Sequence, residues 1–465
     1  MHITGIICEY NPLHNGHVWQ IEEIRRRTPD THIVAIMSGS FCQRGSAAIL
    51  DKWTRARLAV LAGCDLVLEL PFPFACRSAQ NFALGGVQLL ADLRLGGQLA
   101  FGAETDNLRA LTMAAKMLDT PSLQAEIHRH IRAGASYAAA VSATIGLMAG
   151  IPEHVLRQPN NILALEYLHA LQRYKRLQPL LLPRQQAAHH DDTLQAPFAS
   201  GTAIRQALYC ITSPMPSHSR KKSTATKSMS QPTAPATGEP AVPDWATLAR
   251  VMPAATLTAL QEASAAGLPD ADRLYPALQL ALTCRSDAEL ESIYGLAGGE
   301  GILPRLRTTT HDATSMEEWL ARASTRRYPV ARLRRLVPYL LLGLRQDTID
   351  DTTILGPAYI HVLAMNRRGQ AVLRAAKKHS LNPIVTKFSD VLTSRIRNAE
   401  LPSLMQPSPP VEQLTLNMLA DGFIAGARQQ AAMDSLATEL RALLLPHRDP
   451  HNDFNTSPWV APKQD

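Results

Sequence analysis

The chain has 465 residues, of which 46% are hydrophobic, 5% aromatic and 19% charged. At about 100 to 200 residues per domain this is two or three domains, enough to bury a real core, and it excludes a chain disordered throughout. The excess of 47 Lys+Arg over 40 Asp+Glu, a net charge of +7, suits an acidic partner such as nucleic acid or nucleotide without choosing between them.

The first residues, MHITGIICEY, reach Glu9 before an apolar signal region is complete, and no later run approaches the ~20 apolar residues of a membrane span. The six cysteines, Cys8, Cys42, Cys64, Cys76, Cys210 and Cys284, are scattered without a CxxC pair, unlike a disulfide framework or zinc ribbon. A cytoplasmic protein with reduced thiols and no membrane contact is expected.

In chain order, HITGIICE reads as a strand, VWQIEEIRRR as a helix beginning around Val18, HIVAIMSG as a strand and DKWTRARLAVLAG as a helix. DLVLELP is then a strand, SAQNFALGGVQLLADL and NNILALEYLHALQRY are helices, LQPLLLP is a buried strand and SGTAIRQAL starts a further helix. Almost wholly apolar strands alternating with helices predict an α/β fold, a doubly wound parallel sheet covered on both faces, over residues 1–212. Residues 213–243 are rich in Ser, Thr and Pro and carry Arg220, Lys221, Lys222 and Lys227 against Glu239. They read as a flexible basic insert. Over 244–450 the runs WATLARVM, LYPALQLALTC, MEEWLARA, ARLRRLVPYLLLGL, GQAVLRAAKKHS and AAMDSLATELRALLL suit helical periodicity, which predicts a mostly α domain before a disordered tail at 451–465.

The first strand runs directly into EYNPLHNGH, Glu9 to His17. Ligands of open parallel sheets sit at the carboxyl ends of the strands, where a helix N-terminus offers free N–H groups and a positive dipole end to phosphate. Gly16 lets a nucleotide approach the backbone, and His14 and His17 are placed to donate to a triphosphate and to the charge developing at its α-phosphorus. Two histidines three apart also occur on helix surfaces or as metal ligands, but no third ligand stands nearby and the spacing is not HExxH. A second turn, SGTAIR, places Ser200 or Thr202 as a helix cap facing an anion and Arg205 as a partner for β- or γ-phosphate. Alone it reads equally as an N-cap. Neither a GxxxxGK[ST] loop nor a GxGxxG turn is present.

HNGH followed by S-x-T-x-I-R resembles the class I aminoacyl-tRNA synthetase-like nucleotidyltransferases. More narrowly, GIICEYNPLHNGH, MSGSFCQRGSAAILDKWTRARLAVLAGCDLVLELP, SAQNFALGGVQLL, LAFGAETDN, QPNNILALEYLHAL, STRRYPVARLRRL and YIHVLAMNRRG resemble the tRNA(Met) cytidine acetate ligase family, from about Gly5 to about Lys387. The resemblance implies a Rossmann-like nucleotidyltransferase domain and an ATP-dependent ligase. Such an enzyme activates acetate as acetyl-adenylate, releases pyrophosphate, and acetylates N4 of the wobble cytidine of elongator tRNA(Met). It implies ATP with Mg2+ as substrate and no tightly bound metal. Carried over, the ATP site comprises Ile7, Cys8, Glu9, Tyr10, Asn11, Pro12, Leu13, His14, Asn15, Gly16, His17, Val18, Trp19 and Gln20, with Gly102, Asn160 or Asn161, and Arg184. His14 and His17 are then the catalytic pair, with Ser200 also in the ATP site and Thr202 and Arg205 on the pyrophosphate side. PRQQAAHHD stands where the family carries an Arg followed by a Gly-Tyr-His-Asp stretch, so Arg184, one of His189 or His190, and Asp191 survive while Gly and Tyr are replaced.

Two further sets follow from the residues. Ser38, Gln43, Arg44, Asp51, Lys52 and Arg55 gather near the end of the second strand, where Gln43, Arg44 or Lys52 is placed to hold acetate or a tRNA phosphate, or else forms an ordinary loop and first helical turn. Arg326, Arg327, Arg332, Arg334, Arg335, Arg367, Arg368, Lys377 and Lys378 form a basic footprint for tRNA, with Tyr328 and His361 as stacking candidates for unpaired bases. Two other readings stay open: a small-molecule adenylyltransferase of the HxGH type, and a non-catalytic protein that binds nucleotide and RNA.

Overall fold

The computed structural model describes residues 1–135, 137–149, 153–156, 158–183, 196–209, 243–296, 301–380, 382–392 and 413–462. The predicted basic insert, Arg184 and the PRQQAAHHD segment after it lie outside the described residues.

Five parallel strands form the predicted sheet: β1 Ile3–Cys8, β2 His32–Ser38, β3 Leu66–Leu70, β4 Gly97–Ala103 and β5 Leu177–Pro183. Their order is β5-β4-β1-β2-β3. The near-continuous burial of β2 and β3 is what a sheet with helices on both faces demands. Pro179 and Pro183 are tolerated because β5 is an edge strand, with no partner on its outer side among the described residues. The helices Ala79–Asp92 and Pro159–Leu171 cover one face, and Gly5 and Gly86 admit the side chains of Leu90 and Ile7 where a Cβ would collide.

The sheet does not end at the predicted domain limit. β6, Ile360–Met365, joins β3 antiparallel, and β7, Ile384–Val385, and β8, Trp459–Val460, both pair with β6. The second half of the chain thus supplies three strands to the sheet of the first, and a line at 243/244 separates helical layer from sheet only in part. Every residue of the run IHVLAM is buried, which identifies it as a strand buried on both faces rather than as part of a helical array.

The expected disordered tail is also ordered through residue 462. Asp453 is 3% exposed, its Oδ1 lies 2.5 Å from the Lys52 ammonium, and Phe454 meets Phe388 edge-on with centroids 5.9 Å apart. The helices between Tyr275 and Leu355 form a second core around Trp319, Leu306, Leu333 and Leu340. It is joined to the sheet layer through the helix Val330–Leu342, whose Tyr339 hydroxyl donates to the Cys76 carbonyl. Along the long helix Gln413–Ala442, Asp434 accepts from Phe72 N and Arg441 donates to the carbonyls of Ala48 and Ile49.

Candidate active site

The helix after β1 starts three residues before the predicted Val18, at Asn15, because His14 is its N-cap. The His14 Nδ1 accepts from Gly16 N at 3.1 Å, and His17 Nδ1 accepts from His14 N at 3.3 Å. This reciprocal cap satisfies two N–H groups that a helix start leaves without partners. It also has a chemical consequence. A neutral imidazole that accepts at Nδ1 carries its proton on Nε2, so both rings are fixed as Nε2–H donors. They stack with centroids 3.8 Å apart and both line one large cleft.

Gly16 suits this cap, since a Cβ there would stand 3.0 Å from His14 Cε1 and crowd the ring. Tyr10 is held at φ 45°, a left-handed conformation rare for an aromatic residue, fully buried and edge-on to His17 at 4.9 Å. Asn11 closes the turn, accepting from Ile49 N at 2.8 Å and donating to Cys42 Sγ at 3.2 Å.

The second phosphate turn meets the first directly. Arg205 Nη1 donates to the Asn11 carbonyl at 2.5 Å and its Nη2 to Thr202 Oγ1 at 3.2 Å, while Ser200 Oγ caps the helix Gly201–Tyr209 by accepting from Ala203 N at 3.0 Å. Two segments almost 190 residues apart thereby make one polar floor at the carboxyl ends of the parallel strands.

The cleft has a volume of about 930 Å³. Of the predicted ATP-site residues, Ile7, Cys8, Glu9, Tyr10, Asn11, His14, Gly16, His17, Trp19, Gln20, Gly102, Asn160, Ser200, Thr202 and Arg205 line it. Leu13 and Val18 instead pack into the core beneath, and Pro12 is buried. Asn15 points away and is tied to the carbonyls of Pro197 and Arg250 at 3.1 and 3.0 Å. Asn161 is wholly buried as a brace, accepting from the backbone of Glu104 and Thr105, whereas Asn160 beside it faces the cleft. Cys8 is a packed thiol, as expected, and burial pushes its pKa well above the ordinary value.

The group after β2 divides. Gln43 and Arg44 line the cleft, and Gln43 N donates to Glu9 Oε1 at 2.6 Å. Lys52 does not reach it. Its ammonium is fully buried, 2.8 and 2.9 Å from the two Glu69 oxygens and 2.5 Å from Asp453. Burial opposes that charge, and the carboxylates of Asp453 and Glu69 more than offset it and raise the lysine pKa. Glu69 also holds the His361 ring at 2.6 Å. The same three groups, Glu69, His361 and Asp453, have a spacing that suits a metal ion, but the Lys52 ammonium already supplies their cation. Lys52 and His361 are therefore corrected from acetate or RNA contacts to parts of a buried ionic centre. Arg55, equally buried, donates to the carbonyls of Glu9, Ser38 and Gly39 and so ties the ends of β1 and β2 beneath the cleft.

The chain matches the family model described as HIGH Nucleotidyl Transferase over residues 1–438. It is 32% identical over 470 residues to the tRNA(Met) cytidine acetate ligase of Syntrophomonas wolfei, covering 98% of this chain and 99% of that one. To the tRNA(Met) cytidine acetate ligase of Latilactobacillus sakei it is 36% identical over 392 residues, covering 84% and 88%. The chain belongs to the tRNA(Met) cytidine acetate ligase family. The fold agrees: the crystal structure of apo Thermotoga maritima TmcAL superposes with a TM-score of 0.77 at 25% identity, covering 99% of both chains. The form of that protein bound with alpha-thio ATP gives a TM-score of 0.76 at 24% identity, again covering 99% of both.

In this member of the family the predicted RNA footprint is split by the sheet. Arg327, Arg332 and Arg335 line the cleft, and Tyr328, 6% exposed, lies beneath Arg332 at 4.5 Å from guanidinium carbon to ring centroid. Tyr328 is thus a support for an arginine, although it also borders the cleft. Arg334 is partly buried between, with a pKa lowered by burial and by Arg205 and Arg44. Arg326 is exposed outside the lining. Arg367, Arg368, Lys377 and Lys378 belong to or directly follow the helix Arg367–Ala376 after antiparallel β6, whose end Met365 pairs with Leu66 at the start of β3. That places Arg367 and Arg368, at the helix start, at the amino edge of the sheet, one strand length from the cleft, roughly 17 Å for five residues, while Lys377 and Lys378 follow the far end of the helix and stand outside the cleft lining.

Sequence reasoning missed most of the apolar and helical lining: Phe82, Phe101, Glu166, Tyr167, Tyr294 and Tyr339. None belongs to a motif with a phosphate-binding rationale, and only the fold brings them to one wall. Arg77 supports that wall, donating to the Tyr294 hydroxyl at 2.9 Å.

Proposed function

We infer that the chain activates acetate with MgATP and transfers the acetyl group to N4 of the wobble cytidine of elongator tRNA(Met), giving N4-acetylcytidine. The observation that carries this reading is the joined pair of turns: two imidazoles fixed as Nε2–H donors on a helix N-terminus, bonded through Asn11 to Arg205. An acetate oxygen attacks the α-phosphorus, and pyrophosphate leaves. His14 and His17 stabilise the charge that grows on the α-phosphate oxygens, while Thr202 and Arg205 hold the departing pyrophosphate. In the second step the cytidine amine attacks the acetyl carbonyl, AMP departs and the amine loses a proton. Activation is needed because that nitrogen lone pair is delocalised into the ring, leaving a poor nucleophile.

The cleft's charge fits these substrates. Arg44, Arg205, Arg327, Arg332 and Arg335 line it against the acids Glu9 and Glu166, and a wall so weighted toward arginine favours phosphate. The arginines of the helical layer are the tRNA contacts in this account, and the cytoplasm is the compartment where such a tRNA is found. Among the described residues no helix is long and apolar enough to cross a membrane. The test is ATP–pyrophosphate exchange with and without acetate. Acetate-dependent exchange supports the reading, and exchange that ignores acetate but responds to a phosphorylated metabolite replaces it with a small-molecule adenylyltransferase.

A further inference from the structure

One wall of the cleft differs from its cationic floor. It is formed by Phe82, Phe101, Ile131, Leu163 and Tyr167, and the rings of Phe101 and Tyr167 lie 5.7 Å apart at 47°. A single carboxylate enters this apolar wall. Glu166, on the helix Pro159–Leu171, is 2% exposed and lines the cleft, yet its buried Oε2 accepts no hydrogen bond. His169 Nδ1 stands 3.7 Å from that oxygen, beyond hydrogen-bond reach, and His169 Nε2 is 2.9 Å from Asp119 Oδ1.

A buried carboxylate is costly to leave without donors. Here the imidazole is drawn toward the exposed Asp119, and the carboxylate keeps acceptor capacity beside aromatic faces. Flat aromatic surface with one acceptor is the chemistry that recognises a nucleobase carrying an exocyclic amine: the base stacks and its N–H donates. A keto oxygen at the same place would face the carboxylate and be repelled.

We propose that Glu166 reads the exocyclic amine of a nucleobase seated against Phe82, Phe101 and Tyr167, with His169, an ion-pair partner 3.7 Å away, as a positioning residue that balances the carboxylate's charge. The proposal rests on the function inferred above for its two sources of such a base, the adenine of ATP and the wobble cytosine.

The experiment compares wild type with Glu166→Gln, which keeps size and shape but replaces one acceptor oxygen by a donor, after matched thermal melts. One arm measures affinity for ATP against inosine triphosphate, without acetate or tRNA. The other measures affinity for tRNA(Met) transcripts carrying C34 against U34. Wild type prefers the amine-bearing partner, and Glu166→Gln lowers that preference at least about tenfold in the arm whose base occupies the wall, leaving the other arm in place. His169→Ala lowers the same ratio by a smaller factor. If Glu166→Gln does not fold, Glu166→Asp, which withdraws the carboxylate, is read by the same ratios. Unchanged ratios in both arms, or no amine preference in wild type, overturn the proposal. Neither arm uses acetate, so a failure of acetate-dependent exchange is a separate result and leaves this one standing.

Discussion

The two ends of the parallel sheet both gather arginines, and they use them in opposite ways. At the amino end Asp65, 1% exposed, accepts from Arg25 at 2.5 Å, from Ile33 N at 2.8 Å and from Asn366 at 3.0 Å, with Arg368 at 3.4 Å. Arg25 and Arg368 both donate to the Thr31 carbonyl as well. Charge there is consumed in holding loops together. At the carboxyl end five arginines border a cleft whose lining acids are Glu9 and Glu166. There the guanidinium groups, even where carbonyls brace them as that of Asn11 braces Arg205, border open volume in which a ligand fits. A basic count along the chain cannot distinguish these cases, because the difference lies in which carboxylates and carbonyls the fold brings alongside.

The comparison breaks first at Asp65. Asp65→Ala removes the acceptor from a buried ion pair and its hydrogen bonds, and is expected to cost about 3–5 kcal/mol of stability by denaturant titration, while the protein that remains folded keeps its exchange activity. At the other end, His14→Ala or His17→Ala is expected to lower acetate-dependent exchange by about 10²–10³-fold, with a stability loss of only about 1 kcal/mol from the broken cap. For either histidine variant, a melt that collapses while the activity of folded protein is retained would reverse these roles.

A pH test sharpens the amino end. Asp92, where the helix Ala79–Asp92 ends, accepts from Asn382 Nδ2 at 2.7 Å, and burial raises its pKa to about 7. The folded state then binds the proton more tightly than the unfolded chain, so Asp92 makes stability fall as pH rises from about 4 to about 7 and adds no further slope above that. Asp92→Asn keeps the acceptor without the charge. It is expected to be more stable than wild type at pH 8, by on the order of a few kcal/mol, with the difference shrinking toward pH 4.

The smallest effects separate the two basic clusters. Arg335→Ala in the cleft is expected to weaken tRNA binding and lower the salt dependence by about one unit of slope. Lys377→Ala with Lys378→Ala, outside the cleft, is expected to leave acetyl transfer within about twofold. An equal loss from both would show that one RNA surface wraps the sheet.

Much of this organisation was legible in the residues. β1, β2, β3 and β5 are apolar runs of strand length, and HNGH and SGTAIR carry their own chemistry, so their convergence followed from the rule that such sheets bind at the strands' carboxyl ends. What was not legible depended on long-range pairing. Nothing local marks Asp453 as the partner of Lys52, about 400 positions away, or tells that IHVLAM joins β3 rather than a helix. Lys52 read as available because a lysine at the start of a helix is ordinarily solvated, and only the sealed contact of three chain segments removes it from water.

The central claim is that the joined His14–His17 and Thr202–Arg205 turns adenylate acetate for delivery to a cytidine. The most direct measurement is transfer of labelled acetate, with ATP, to tRNA(Met) transcripts carrying C34 or a substitution at that base, run beside ATP–pyrophosphate exchange for wild type and His17→Ala. The account predicts acetate-dependent exchange, label on the C34 transcript alone, and loss of both in the variant. Tight tRNA binding without any exchange, or full transfer by His17→Ala, would contradict it.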